Sequence, residues 1–85
     1  MAVYELSYKV SVAKGLRGLP KADIRRILAR TEALRTNPRP AGSEKLAGSE
    51  QYRIRQGNYR ILYTADDAQI IVEVVKIGHR KNIYR

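Results

Sequence analysis

The stretch Gln51-Tyr52-Arg53-Ile54-Arg55-Gln56-Gly57-Asn58-Tyr59-Arg60-Ile61-Leu62-Tyr63 decides the architecture, because two alternating runs flank a Gly-Asn pair. Such a pair suits a two-residue type II′ hairpin turn, with glycine at the first central position. That turn pairs Gln56 with Tyr59, Arg55 with Arg60, Ile54 with Ile61, Arg53 with Leu62 and Tyr52 with Tyr63. Directly opposed residues share a face, so Tyr52, Ile54, Ile61 and Tyr63 form one apolar face. Arg53, Arg55 and Arg60 fall on the other. A three-residue loop would set Ile54 against Arg60 and mix the two faces. The two-residue register is therefore expected, and with it an arginine cluster containing no acid. Arg55 opposite Arg60 is a like-charge pair at ~5 Å between Cβ atoms, destabilising unless solvent, an acid or an anion offsets it. Convergent fixed positive charge of this kind suits a phosphate.

Working outward, residues 3–8 alternate as a strand, and residues 9–17 suit a short helix ended by Gly18 or already strained at Gly15. Leu19-Pro20 opens a second helix, with proline at its first position and Asp23 in the first turn, where the helix dipole favours an acid. Ile24, Ile27, Leu28, Thr31 and Leu34 recur at helical spacing as one apolar stripe. Lys21, Arg25, Arg26 and Arg30 lie away from it, and Asn37-Pro38-Arg39-Pro40 stops the helix. Residues 37–50 are a Pro-, Gly- and Ser-rich linker that is assigned no chemistry. Strands are expected at 51–56, 59–65 and 69–77, with Asp66-Asp67 only a turn and Gly78 ending the last strand. That strand is apolar on both faces, as a central strand should be, and regular alternation sets Glu73 and Lys76 on opposite faces. The fold class is α+β, in the order β-α-α-β-β-β. A four-stranded, mainly antiparallel sheet carries two helices on one face. Residues 1–85 make a single domain.

Seventeen Lys and Arg against eight Asp and Glu give a formal charge of +9, a bias toward anionic partners such as nucleic acid or the ribosome. No cysteine is present, which fits a reducing compartment. No apolar run approaches the ~20 residues of a membrane span, so a soluble, cytoplasmic protein with no membrane partner is expected. The final run from Gly78 carries His79, Arg80, Lys81, Tyr84 and Arg85 with no acid. Arg80 is expected to reach the face that holds the hairpin arginines.

One histidine, no cysteine and scattered acids argue against a metal centre, and no phosphate-binding glycine motif or other cofactor signature occurs. Metal-free work on phosphate remains. Cleaving RNA through its own 2′-OH requires that hydroxyl to lose a proton and the leaving 5′-oxygen to gain one. It also requires positive charge around the crowded phosphorane. Arg53, Arg55, Arg60 and Arg80 suit the last task. Arginine is a poor base, its pKa exceeding ~12. Candidates for proton transfer are therefore Tyr84, His79, Lys76 and Lys81, or groups of the RNA and its surroundings. Tyr84 is suited to stack on a base and donate from its hydroxyl.

At these residues the sequence resembles the RelE family of the RelE/ParE toxin superfamily. The resemblance rests on the opening strand, the Leu-Pro-initiated helix, the Asn-Pro-Arg-Pro linker and Lys45-Leu46. It continues through Tyr52-Arg53-Ile54-Arg55, Gly57 to Tyr63 and Gly78 to Tyr84. It implies cleavage of messenger RNA in the ribosomal A site, and an acidic antitoxin that wraps the toxin and alone would link it to operator DNA. It also implies roles at the phosphate for Arg53, Arg55, Arg60, Arg80 and Tyr84, with Arg55, Arg60, Arg80 and Tyr84 expected to be catalytic; the residues themselves point to RNA binding by Arg53, Arg55, Lys76, His79 and Lys81. Some members carry lysines where Arg53 and Arg55 stand, one of them assigned as a general base. An arginine there leaves only electrostatics. The spacing from Arg80 to Tyr84 is also shorter than in some members. Two other functions fit the same superfamily or composition: gyrase inhibition without cleavage, and non-catalytic binding to RNA or ribosomes.

Overall fold

A computed structural model describes residues 3–79. Its elements are β1 (Glu5–Tyr8), α1 (Val10–Leu16), α2 (Lys21–Ala33), β2 (Glu44–Lys45), β3 (Tyr52–Gln56), β4 (Tyr59–Asp66) and β5 (Ile71–His79). They form one five-stranded sheet in the order β1-β5-β4-β3-β2, with β1 parallel to β5 and the other pairs antiparallel. The expected α+β class holds, with one strand more than expected. The addition is β2, two residues of the linker that pair with Tyr52 and Arg53 at the free edge of β3.

The hairpin closes in the expected register: Gln56 pairs with Tyr59, Arg55 with Arg60 and Ile54 with Ile61. Gly57 adopts φ 60°, the positive value the tight turn needs. Ile54, Ile61 and Tyr63 are fully buried, as are Val72 and Val74 of β5, against Ile27, Thr31 and Leu34 from α2 and its end. Fully burying one such aliphatic side chain contributes about 1.5–3 kcal/mol. Of the anticipated α2 stripe, Leu28 stays 38% exposed, at the margin of the buried face. Pro20 caps α2 from just outside, its carbonyl accepting the Ile24 N–H at 3.0 Å.

Two expectations for β5 are corrected. Gly78 does not end it: Gly78 pairs with Arg60 and His79 with Tyr59, inside the ladder. The strand also starts late, at Ile71, because the Asp66 carboxylate accepts the N–H groups of Ala68 and Gln69 and holds the preceding turn. The alternation of β5 is then broken by a β-bulge. Leu62 pairs with Lys76 but Tyr63 with Val74, so Val75 is extra. Glu73, opposite Thr64, and Lys76, opposite Leu62, consequently share one face, contrary to the regular reading.

The bulge coincides with a change of neighbour. β1 pairs with β5 only as far as Val74, where Lys9 N–H donates to the Val74 carbonyl at 2.9 Å. From there α1 covers the edge. Ser11 Oγ donates to the Val75 carbonyl at 2.5 Å, and Gly15 lies directly over Ile77. A Cβ at Gly15 would sit 1.9 Å from the Ile77 carbonyl oxygen, so α1 continues through its glycine because only glycine allows this approach. Helix propensity alone favours alanine by ~1 kcal/mol. The backbone clash reverses that sign. Gly15→Ala is expected to destabilise by about 1–3 kcal/mol in urea unfolding, and a stabilised variant would contradict this packing.

Candidate nucleic-acid interface

The face of the sheet opposite the helices carries the basic residues. Arg53, Arg55 and Arg60 project there from the hairpin, and the bulge brings Lys76 to the same side. Across the strands, one row runs Glu44, Arg53, Leu62, Lys76 and the next Arg55, Arg60, Gly78. Gly78 adds no side chain to its row, so two arginines dominate it. Arg60 is only 4% exposed, whereas Arg55 is open to solvent. Water thus screens one member of the like-charge pair that the hairpin register creates.

The cluster is not free of acid. Glu44 of β2 stands directly opposite Arg53, with 2.9 Å between carboxylate Oε1 and guanidinium Nη2. A Pro-, Gly- and Ser-rich linker gives no local sign of this carboxylate, because Glu44 reaches Arg53 only through the short strand it forms. At the other end of the face, Glu73 lies beside Thr64, and Asp66 borders the same hollow of about 310 Å³. The face is therefore graded in charge, acidic toward the β4–β5 turn and basic toward the β3–β4 turn. Thr64 and Arg60 are four residues apart on β4, about 14 Å at ~3.4 Å per residue. A polyanion is directed to the basic end.

His79 is not on this face. It pairs with Tyr59, whose ring it meets edge-on at 6.0 Å between centroids, on the side of the helices. Tyr59 donates its hydroxyl proton to Asp23 of α2 at 2.7 Å, and that bond raises the phenol above its ordinary pKa. His79 and Lys76 nevertheless line one hollow of about 510 Å³, where α1 covers the edge of β5. Arg80, Lys81 and Tyr84 lie outside the described residues. Among the described residues no group of three His, Cys, Asp or Glu side chains is placed to hold a metal ion.

The linker, given no chemistry by its sequence, carries a latch beside the face. Arg39 donates through Nη1 and Nη2 to the two Asp67 carboxylate oxygens at 3.1 and 3.0 Å, and through Nε to the Tyr52 hydroxyl at 3.0 Å. Its guanidinium carbon lies 5.2 Å from the Tyr52 ring centre, a cation–π contact. Tyr4 adds a hydroxyl donor to Asp67 at 2.7 Å. Tyr52 stacks on Tyr63 at 5.7 Å, and the Tyr63 hydroxyl donates to the Pro38 carbonyl at 2.6 Å. The latch ties the Pro-Arg-Pro segment to β3 and β4, and so sets the course of the chain into β2 and Glu44. Its only forewarning in the sequence was the doubled aspartate: Asp66 makes the turn and Asp67 is spare.

The sequence matches, over residues 6–84, the family described as the ParE toxin of the type II toxin-antitoxin system parDE. The chain belongs to the RelE/ParE toxin superfamily. A candidate toxin RelE1 of Methanocaldococcus jannaschii is 35% identical over 80 residues, spanning 87% of each chain. The archaeal RelE–RelB complex of Pyrococcus horikoshii superposes with a TM-score of 0.82 at 30% identity, covering 94% of this chain and 98% of that one. The E. coli RelBE toxin–antitoxin complex gives 0.75 at 25% identity, covering 89% and 95%. The chain is a RelE-family toxin of a type II toxin–antitoxin system.

The Asp67 carboxyl is held below its ordinary pKa, first by the Arg39 hydrogen bonds and then by Tyr4. A depressed carboxyl contributes stability that is present above its unfolded pKa of ~3.9 and is lost as pH falls through the lower folded value. Asp67→Asn is therefore expected to lower the urea midpoint at neutral pH. The gap from the parent should close as pH falls below about 4. A gap that stays constant down to pH 2 would show that the latch does not depend on this charge.

Proposed function

We propose that this toxin is a metal-independent endoribonuclease that cuts messenger RNA in the ribosomal A site and so stops translation. The observation carrying this reading is the gathering of Arg53, Arg55, Arg60 and Lys76 on one helix-free sheet face. In the reaction the substrate 2′-oxygen attacks the adjacent phosphorus. The bond to the 5′-oxygen breaks, leaving a 2′,3′-cyclic phosphate and a 5′-hydroxyl. The proton lost by the 2′-OH and the proton gained by the leaving oxygen balance the step. Arg60 and Arg55 stabilise the charge of the phosphorane, and Arg53 and Lys76 hold flanking phosphates. From the C-terminal run, Arg80 adds to the charge around the phosphorus, Lys81 binds RNA, and Tyr84 stacks on a base and protonates the leaving oxygen. His79 takes part in binding from the edge of β5. Four arginines with no strong base make a slow catalyst on free RNA, so the ribosome supplies the alignment of the 2′-OH.

The partner that restrains this activity is an acidic antitoxin, as the RelB complexes of the Pyrococcus and E. coli neighbours suggest. A formal charge of +9 gives such a protein long-range attraction. Contact with operator DNA would come through the antitoxin, and the site of action is the cytoplasm, where translation proceeds. A second reading, gyrase inhibition without cleavage, is favoured by the family description, which names ParE. It gives the arginine face no task.

Primer extension on an mRNA, with and without translating ribosomes, separates the two. Cleavage within the A-site codon only when ribosomes are present is expected. Arg60→Ala is expected to lower it by about 10²-fold or more, the scale of losing an electrostatic stabiliser. Because Arg60 is buried, the exposed Arg55→Ala serves as a second variant and is expected to lose about tenfold on the same electrostatic grounds. Undiminished cleavage by both folded variants would remove these residues from the site. Accumulated gyrase–DNA adducts without RNA cleavage would replace the proposal by the second reading.

A further inference from the structure

The Glu44–Arg53 pair is set apart by its construction. Arg53 is held on a central stretch of β3 with only 12% of its side chain exposed, while Glu44 is 63% exposed on a strand of two residues. β2 makes its two pairings with Tyr52 and Arg53 and does not extend to Arg55. Arg53 thus stands opposite a carboxylate, whereas Arg55 and Arg60 stand opposite each other in the neighbouring row. Glu44 is therefore poorly placed as relief for the like-charge pair and well placed to occupy the guanidinium of Arg53. An ion pair with one partner so open to water is weakly held, so a phosphate can displace it.

We infer that Glu44 is a specificity-determining residue: it occupies Arg53 in the free toxin and yields it only to an RNA phosphate delivered in register by contacts at Arg55, Arg60 and Lys76. The effect is discrimination against loosely bound polyanion. A phosphate arriving anywhere else on the face meets an Arg53 already neutralised and a carboxylate that repels it. This inference rests on the proposal that the arginine face binds RNA.

The test is the salt dependence of binding to a 2′-O-methyl RNA oligonucleotide, which cannot be cleaved. Each additional phosphate neutralised steepens the plot of log affinity against log salt by ~0.7 for a single strand. Free of the ribosome, the oligonucleotide is loosely bound polyanion and leaves Arg53 on Glu44 in the parent, so Glu44→Gln is expected to steepen the slope by about that amount and to tighten binding at low salt by about three- to tenfold. In an Arg53→Gln background the same Glu44→Gln change is expected to alter neither quantity, since there is no guanidinium to release. An equal gain in both backgrounds would mean that Glu44 only repels RNA at a distance, and would overturn the inference. So would an unchanged slope in Glu44→Gln. Arg55→Ala reports on the underlying reading. If it leaves RNA affinity intact, the face does not bind RNA and the inference falls with it. If it weakens binding while Glu44→Gln has no effect, only the role of Glu44 is lost.

Discussion

The molecule depends on one constraint, the closure of Gln56 on Tyr59 across two residues. Side chains alternate along a strand, so the length of that turn decides which of them meet α2 and which do not. One extra residue in the loop would set Ile54 against Arg60, placing a guanidinium among the apolar side chains that α2 covers. The burial of Ile54, Ile61 and Tyr63 and the gathering of Arg53, Arg55 and Arg60 are therefore one event seen from two sides of the sheet. Folding energy comes from the first, and it holds the repulsive arrangement of the second in place.

A second constraint completes the face. β5 must pair with β1 at one end and accept α1 along its edge at the other, and the bulge at Val75 marks where it changes from one to the other. Without that extra residue Lys76 would turn toward the helices and Ile77 toward solvent. With it Ile77 is buried, 1% exposed, and Lys76 joins the arginines. Gly15 belongs to the same device, since α1 can cover this edge only if its backbone rests on the Ile77 carbonyl.

Much of this was legible in the sequence where a local pattern fixes geometry. The hairpin register, the sharing of faces among the arginines, the central place of β5 and the order of elements all follow from alternation and turn chemistry. The bulge was less legible, though it left a trace: the charged residues of β5 switch from an odd position, Glu73, to an even one, Lys76. Glu44 was not legible, and the Arg39–Asp67 latch had only the spare aspartate to announce it. Their partners lie nine residues away for Glu44 and 28 for Arg39, and no propensity or periodicity connects them. A linker rich in proline and glycine gives no local reason to pair with a strand edge, and the pairing exists only once β3 offers one. The side of the sheet that His79 takes was not legible either. That residue shares a basic segment with Lys76, but the parity of the ladder sends it to the Tyr59 side.

The most direct measurement is an NMR titration of the isotopically labelled toxin with a 2′-O-methyl RNA oligonucleotide, observing backbone amides together with arginine Nε–H groups. Weak binding in fast exchange suffices, because location and not affinity is the question. Shifts clustered on Arg53, Arg55, Arg60 and Lys76, with α2 and the acidic end around Glu73 quiet, are the expected result. Shifts centred on α2 or on the Asp23–Tyr59 side would contradict the central claim that the helix-free face meets RNA.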